Sequence, residues 1–177
     1  HAARTQFYQV NRVKEVGRGW LPANTWLNGQ LIVNVNLPFT CNAFWDGATL
    51  NFYVSGGGCG NTGESTAVSL HEFGHGLDDN DGIAIWDTGT TESYADTTAF
   101  IQTHTSCIGN GFFDAGNCSG YGDACTSCSG IRDVDWMKHA SGIAHTPDNF
   151  TRWNCGGGGG PCNREGHCES YVPSEAI

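Results

Sequence analysis

Basic residues are scarce in this chain. Eight Lys and Arg stand against 18 Asp and Glu, a formal net charge of −10. That balance excludes a phosphate-backbone binder, which needs clustered cations to displace counterions, so no nucleic-acid partner is expected. No apolar run approaches the roughly 18 residues of a membrane span, and no membrane insertion is expected. The 26 glycines fall in punctuating clusters without a fixed repeat, which excludes collagen-like and low-complexity readings. The chain opens on His1 with no Met and no basic or apolar leader; the expectation is that an export signal or pro-segment has been removed. What is there, 177 residues with 38% hydrophobic and 11% aromatic content, suffices for one domain with a core.

Cysteine, by contrast, is plentiful. Nine are present, all but Cys41 and Cys59 lying between residues 107 and 168. Such density points to an oxidising compartment and a secreted protein, because cytosolic thiols are kept reduced. The odd count calls for a free thiol or a partner outside this stretch, and the latter is expected. Cys41 and Cys59 flank a hairpin that they can staple, and Cys155 and Cys162 close a glycine loop. Cys125 and Cys128 form a single C-x-x-C; without a second pair or a βαβ context, ordinary disulfides are expected there.

Periodicity predicts an α+β fold. Residues 4–18 carry Phe7, Val10, Val13 and Val16 or Gly17 at helical spacing. β-rich runs follow at 31–37, 41–45 and 49–54, the last two joined at the turn signal Asp46-Gly47. A helix is expected from 62 or 65 to Gly76, then an acidic loop from Asp78 to Gly82, then a helix over 91–103. Residues 106–168 read as an irregular, disulfide-held region with one helical piece at 133–139. Pro173 to Ile177 resemble the first turn of a helix with Ser174 as N-cap, which suggests that the chain continues into a longer polypeptide.

One motif carries chemistry. His71-Glu72-Phe73-Gly74-His75 places two imidazoles at i and i+4, on one face of a helix, where both reach one metal ion. Glu72 stands beside them as a general base. A catalytic zinc needs a third ligand and an open position. Asp81 and Glu92 are the candidates, and Glu92 is preferred: it heads Glu92-Ser93-Tyr94-Ala95-Asp96, in which Asp96 shares its face and can accept an N–H from a ligand histidine. The acidic residues Asp78, Asp79 and Asp81 suggest a calcium site by oxygen density. Asp114, Asn117, Asp123, Asp133 and Asp135 make a weaker second set. Asn117-Cys118-Ser119 and Asn149-Phe150-Thr151 are sequons.

The order His71-Glu72-x-x-His75, then Glu92-x-x-x-Asp96, resembles the gluzincin metallopeptidases related to thermolysin and fungalysin. Asn42-Ala43-Phe44-Trp45-Asp46-Gly47 is similar to the strand and turn that edge the cleft in those enzymes. The resemblance covers residues 28–100. It implies a thermolysin-like fold with a central zinc helix and a small mixed or antiparallel sheet. Residues 1–105 would form the catalytic subdomain, and 106–177 a disulfide-rich region and the start of a helical C-terminal subdomain. It further implies a zinc cofactor, a peptide or protein substrate, synthesis as a zymogen, substrate main-chain contacts at Asn42 and Ala43, and a cleft-lining Trp45. The family's oxyanion Tyr has no match in the stretch from Ile83 to Asp87; the Trp86 indole N–H is one candidate substitute, and a residue elsewhere is the other. For the family's oxyanion His, His139, His145 and His167 are candidates by residue type alone. The expected function is secreted zinc endopeptidase. The alternative is a secreted structural or adhesive module that keeps the scaffold without catalysis.

Overall fold

The computed structural model describes residues 1–83, 87–149 and 165–177. The expected Cys155–Cys162 bridge, its glycine loop, the role assigned to Trp86 and the end of the second sequon lie outside the described residues.

Helix α1 runs Ala2–Trp20, longer than the periodicity marks. Its buried stripe is Gln6, Val10, Val13 and Gly17, spaced for one helical face. Phe7, expected on that stripe, is 76% exposed. Gln6 takes the inward position because its amide has work there: Nε2 donates to Gly63 O at 2.9 Å and to Ser69 Oγ. Its Oε1 is buried without a partner among the described residues, so only the donor half of the amide is satisfied.

Three strands form the sheet: β1 (Ile32–Leu37), β2 (Ala43–Trp45) and β3 (Thr49–Tyr53). Their order is β1-β3-β2, with β1 parallel and β2 antiparallel to β3. The sheet is therefore mixed, and β2 is an edge. The predicted turn holds: Gly47 adopts φ +91°, and Asp46 Oδ1 accepts the amides of Ala48 and Thr49 at 2.9 and 2.6 Å. The Cys41–Cys59 disulfide fastens the segment leading into β2.

Helix α2 runs Thr66–Asn80, with the Ser65 side chain accepting the Val68 amide as its N-cap. The sequence reading stopped this helix at Gly76 and made Asp78 to Gly82 a loop; Asp78, Asp79 and Asn80 are instead its last turn. Gly74 and Gly76 are there for close packing. A Cβ on Gly74 would lie 2.6 Å from Ala95 Cα, and one on Gly76 3.0 Å from the Trp26 ring. Helix α3, Thr88–Thr103, starts at Asp87, whose carboxylate accepts the Thr90 amide at 3.0 Å. The core joins Val13, Leu27, Leu50, Phe52, Leu70 and Phe73 with Ile108 and Val134, so one core crosses residue 105. Each large side chain buried there contributes about 1.5–3 kcal/mol.

Beyond α3, Cys107–Cys128 and Cys118–Cys125 are disulfides, so the C-x-x-C cysteines pair outward rather than with each other. No described cysteine is free. Strands β4 (Cys107–Ile108) and β5 (Arg132–Asp133) pair antiparallel. The expected helix at 133–139 is therefore absent: Asp133 belongs to a strand, and only Trp136–Lys138 form a 3-10 turn, capped by Asp135. The C-terminus also differs from expectation. Helix α4 (Gly166–Glu169) is followed by α5 (Tyr171–Ser174), and Ser174 ends a helix rather than starting one. Glu165 is the cap, accepting the Cys168 amide, and Pro173 is accommodated within the first turn of α5, where no intrahelical N–H is required. Among the described residues no helix is long and apolar enough to cross a membrane.

Candidate metal centre

The close approach of α2 and α3 at Gly74 and Ala95 decides where Glu92 falls. One turn before Ala95, its carboxylate meets both imidazoles of α2. Glu92 Oε2 lies 3.3 Å from His71 Nε2, and Oε1 lies 3.5 Å from His75 Nε2. The two Nε2 atoms are 3.1 Å apart. These three ligand atoms sit within 4.8 Å of one another, as a shared ion requires. Asp81 does not join them: its Oδ1 accepts the Ile83 amide at 2.8 Å.

Three lone-pair groups facing one point fit a divalent cation. Asp96 supports the assignment, with Oδ1 3.0 Å from His71 Nδ1. That is ion-pair distance, although the N–H direction falls short of a formed hydrogen bond. With its proton on Nδ1, His71 offers the Nε2 lone pair to a metal. Two imidazoles and one carboxylate are a donor set that a zinc ion accepts.

Arg132, on β5, is the residue that sequence reasoning missed. It is 1% exposed. Its Nε and one Nη each lie 2.6 Å from an oxygen of Asp96, and the same Nη is 3.1 Å from Glu92 Oε2. Burial pushes the Asp96 carboxyl up, but Arg132 and His71 more than reverse this and hold it below the ordinary range. Glu92 behaves alike: burial raises it, while His71 and Arg132 bring it well down. Burial alone would lower His71, yet Asp96 and Glu92 raise it to about 10. His75 is lowered to about 4 by burial and by the charge of His71.

These groups open into a cleft of about 380 Å³, bordered by Asn42, Ala43 and Trp45 on one side and by Glu72 and His167 near the metal centre. Glu72 is buried, which with Glu92 nearby pushes its carboxyl up to about 7. Trp26 fixes the wall, its ring centroid 5.5 Å from Phe73 on α2 and 5.9 Å from Trp45 on β2. His167 is the one C-terminal candidate at the cleft, its Nε2 3.3 Å from Glu92 Oε2. His139 is buried with ring nitrogens 2.7 and 2.6 Å from the carbonyls of Asp123 and Asp133. His145 stacks on Tyr171 and pairs with Glu175. A second cavity of similar volume, lined by Trp20, Tyr94, Ile101 and Ile177, has no metal-ligating or ionised side chain.

The proposed calcium ligands are not gathered. Asp79 Oδ2 accepts from Trp45 Nε1, Asp81 turns to Ile83, and no trio from these carboxylates converges among the described residues. The second set is likewise spread out: Asp123 bonds Ser141, and Asn117 bonds Thr126 O. Cys107, Cys128 and Asp133 do cluster, but the two sulfurs are joined in a disulfide and offer no thiolate.

The chain matches no known family model, no curated protein and no solved structure.

Proposed function

We propose that this chain is a secreted zinc-dependent endopeptidase. One observation carries the reading: His71, His75 and Glu92 converge on a single point in a cleft that also holds Glu72 and is flanked by the edge strand β2. An ion held by those three side chains supplies Lewis-acid polarisation of a peptide carbonyl and a lowered pKa for water.

The chain's own residues do the rest. A substrate in extended form adds to the free edge of β2, so Asn42 and Ala43 align its backbone. Glu72 takes one proton from the attacking water as the new C–O bond forms. It then hands that proton to the amide nitrogen as the C–N bond breaks. His167, which lines the same cleft, donates from Nε2 to the carbonyl oxygen as its charge grows in this reading. Asp96 and Arg132 hold His71 and Glu92 in position. Three disulfides between described residues support residence in an oxidising, extracellular setting.

Cleavage of labelled casein tests the reading. Activity that a zinc chelator and Glu72→Gln each abolish is expected. An intact, zinc-loaded protein that cleaves neither casein nor a mixed peptide library would support the inert scaffold instead.

A further inference from the structure

The peptidase reading leaves two carboxylates of the cleft without a role. Asp78 and Asp79 stand on α2 one turn beyond His75, and both line the cavity of the metal centre. Asp78 is 4% exposed, and its Oδ1 is buried with no hydrogen-bond partner among the described residues. An unmatched buried carboxylate oxygen is costly until a donor or cation reaches it. Burial, with Asp81 and Asp79 close by, pushes this carboxyl up to about 6. Asp79 is exposed, and Trp45 Nε1 donates to its Oδ2, which ties it to the end of β2. No Lys or Arg of the described residues lines the cleft. The buried Arg132 is spent on Asp96 and Glu92.

We propose that Asp78 and Asp79 form a subsite for a cationic side chain, Lys or Arg, of a peptide lying along β2. This rests on the peptidase reading for the nature of the ligand. The aliphatic stem of such a side chain can cover the Trp45 ring while its charged head meets the face that Asp78 and Asp79 present to the cleft. Calcium is the poorer occupant, because Asp79 and Asp81 are turned to different partners and no third carboxylate joins Asp78. The edge strand delivers the peptide, and the two aspartates select it by charge.

The test uses blocked, alanine-rich decapeptides that carry Lys, norleucine or Glu at each position in turn. Binding is measured to the zinc-loaded full chain carrying Glu72→Gln, and cleavage with the wild-type chain. At one position the Lys peptide should bind with a Kd about tenfold lower than the norleucine peptide and be cleaved with a kcat/KM about tenfold higher, equivalent to about 1.4 kcal/mol. Glu should be rejected there. Asp78→Asn combined with Asp79→Asn should bring the Lys-to-norleucine ratio to about one. If the pair fails to fold, Asp79→Asn alone, at an exposed position, should lower the ratio about threefold. Equal binding of Lys and norleucine peptides overturns the subsite, as does a preference that survives the substitutions or calcium displacing the Lys peptide at millimolar concentration. Selective binding without any cleavage supports the subsite and contradicts the peptidase. Cleavage with no charge preference does the reverse.

Discussion

Arg132 grips both oxygens of Asp96 at 2.6 Å, with both side chains sealed from solvent. Removing Arg132 leaves the buried Asp96 with only His71 beside it, and breaking such a buried pair costs about 3–5 kcal/mol. Arg132→Met should therefore lower the unfolding free energy of the metal-free protein by about that amount in urea denaturation. A loss below about 1 kcal/mol would place the pair among surface ion pairs in effect. Asp96→Asn should also weaken zinc binding about 10- to 100-fold, because it loosens the orientation of His71.

Two glycines in helices separate packing from propensity. At Gly74 an added methyl meets the Ala95 backbone at 2.6 Å, so Gly74→Ala should destabilise by about 1–3 kcal/mol or more and pull Glu92 away from the imidazoles. At Gly19 in α1 nothing lies within 4 Å. Gly19→Ala should stabilise by about 0.5–1 kcal/mol. Thermal unfolding of both variants checks the contrast, which fails if both shift in the same direction.

Glu72 makes stability depend on pH in a direction opposite to an ordinary paired carboxylate. Its carboxyl is raised from 4.5 to about 7, chiefly by burial, so the folded state holds a proton that the unfolded state has released. Below pH 4.5 the group contributes no difference; as pH rises through about 7 the buried charge costs stability. Metal-free Glu72→Gln should therefore be more stable than wild type above pH 7, by on the order of 3 kcal/mol, and equal to it at pH 4. A constant difference across that range would show that burial does not act on this group.

The signs for Asp96 and Glu92 are the reverse. Both are held below their ordinary values of 3.8 and 4.5. Their contribution is complete above those values and is lost as pH falls through the depressed folded ones. Acid unfolding should begin below about pH 4, and Arg132→Met should move its onset upward. Circular dichroism across an acid titration measures this.

Much of the site was legible because it is local. His71, Glu72 and His75 lie within one helical turn, and Glu92 and Asp96 within another; that the two turns should meet followed from the motif order. Arg132 was invisible for the opposite reason. It lies 36 residues beyond Asp96, in a strand of two residues with no periodicity, and nothing in its neighbours marks it as buried. His167 was named by residue type only, since its arrival depends on how α4 docks. Gly76 was misread as a stop, because glycine breaks helices by propensity but is kept in them where another element presses close, here Trp26. The segment at 133–139 failed because Asp133, Asp135 and His139 bond backbone groups within the segment, and His139 also the Asp123 carbonyl, rather than forming a helix face.

Zinc content and coordination test the central claim most directly. The full chain, loaded with zinc and dialysed, should retain one zinc per molecule, with X-ray absorption showing two nitrogen ligands from imidazole and carboxylate oxygen. Conversion of His75 to Ala or Glu92 to Gln should release it with the fold intact. Retention of zinc in both variants, or failure of the wild-type chain to hold any, would contradict the account.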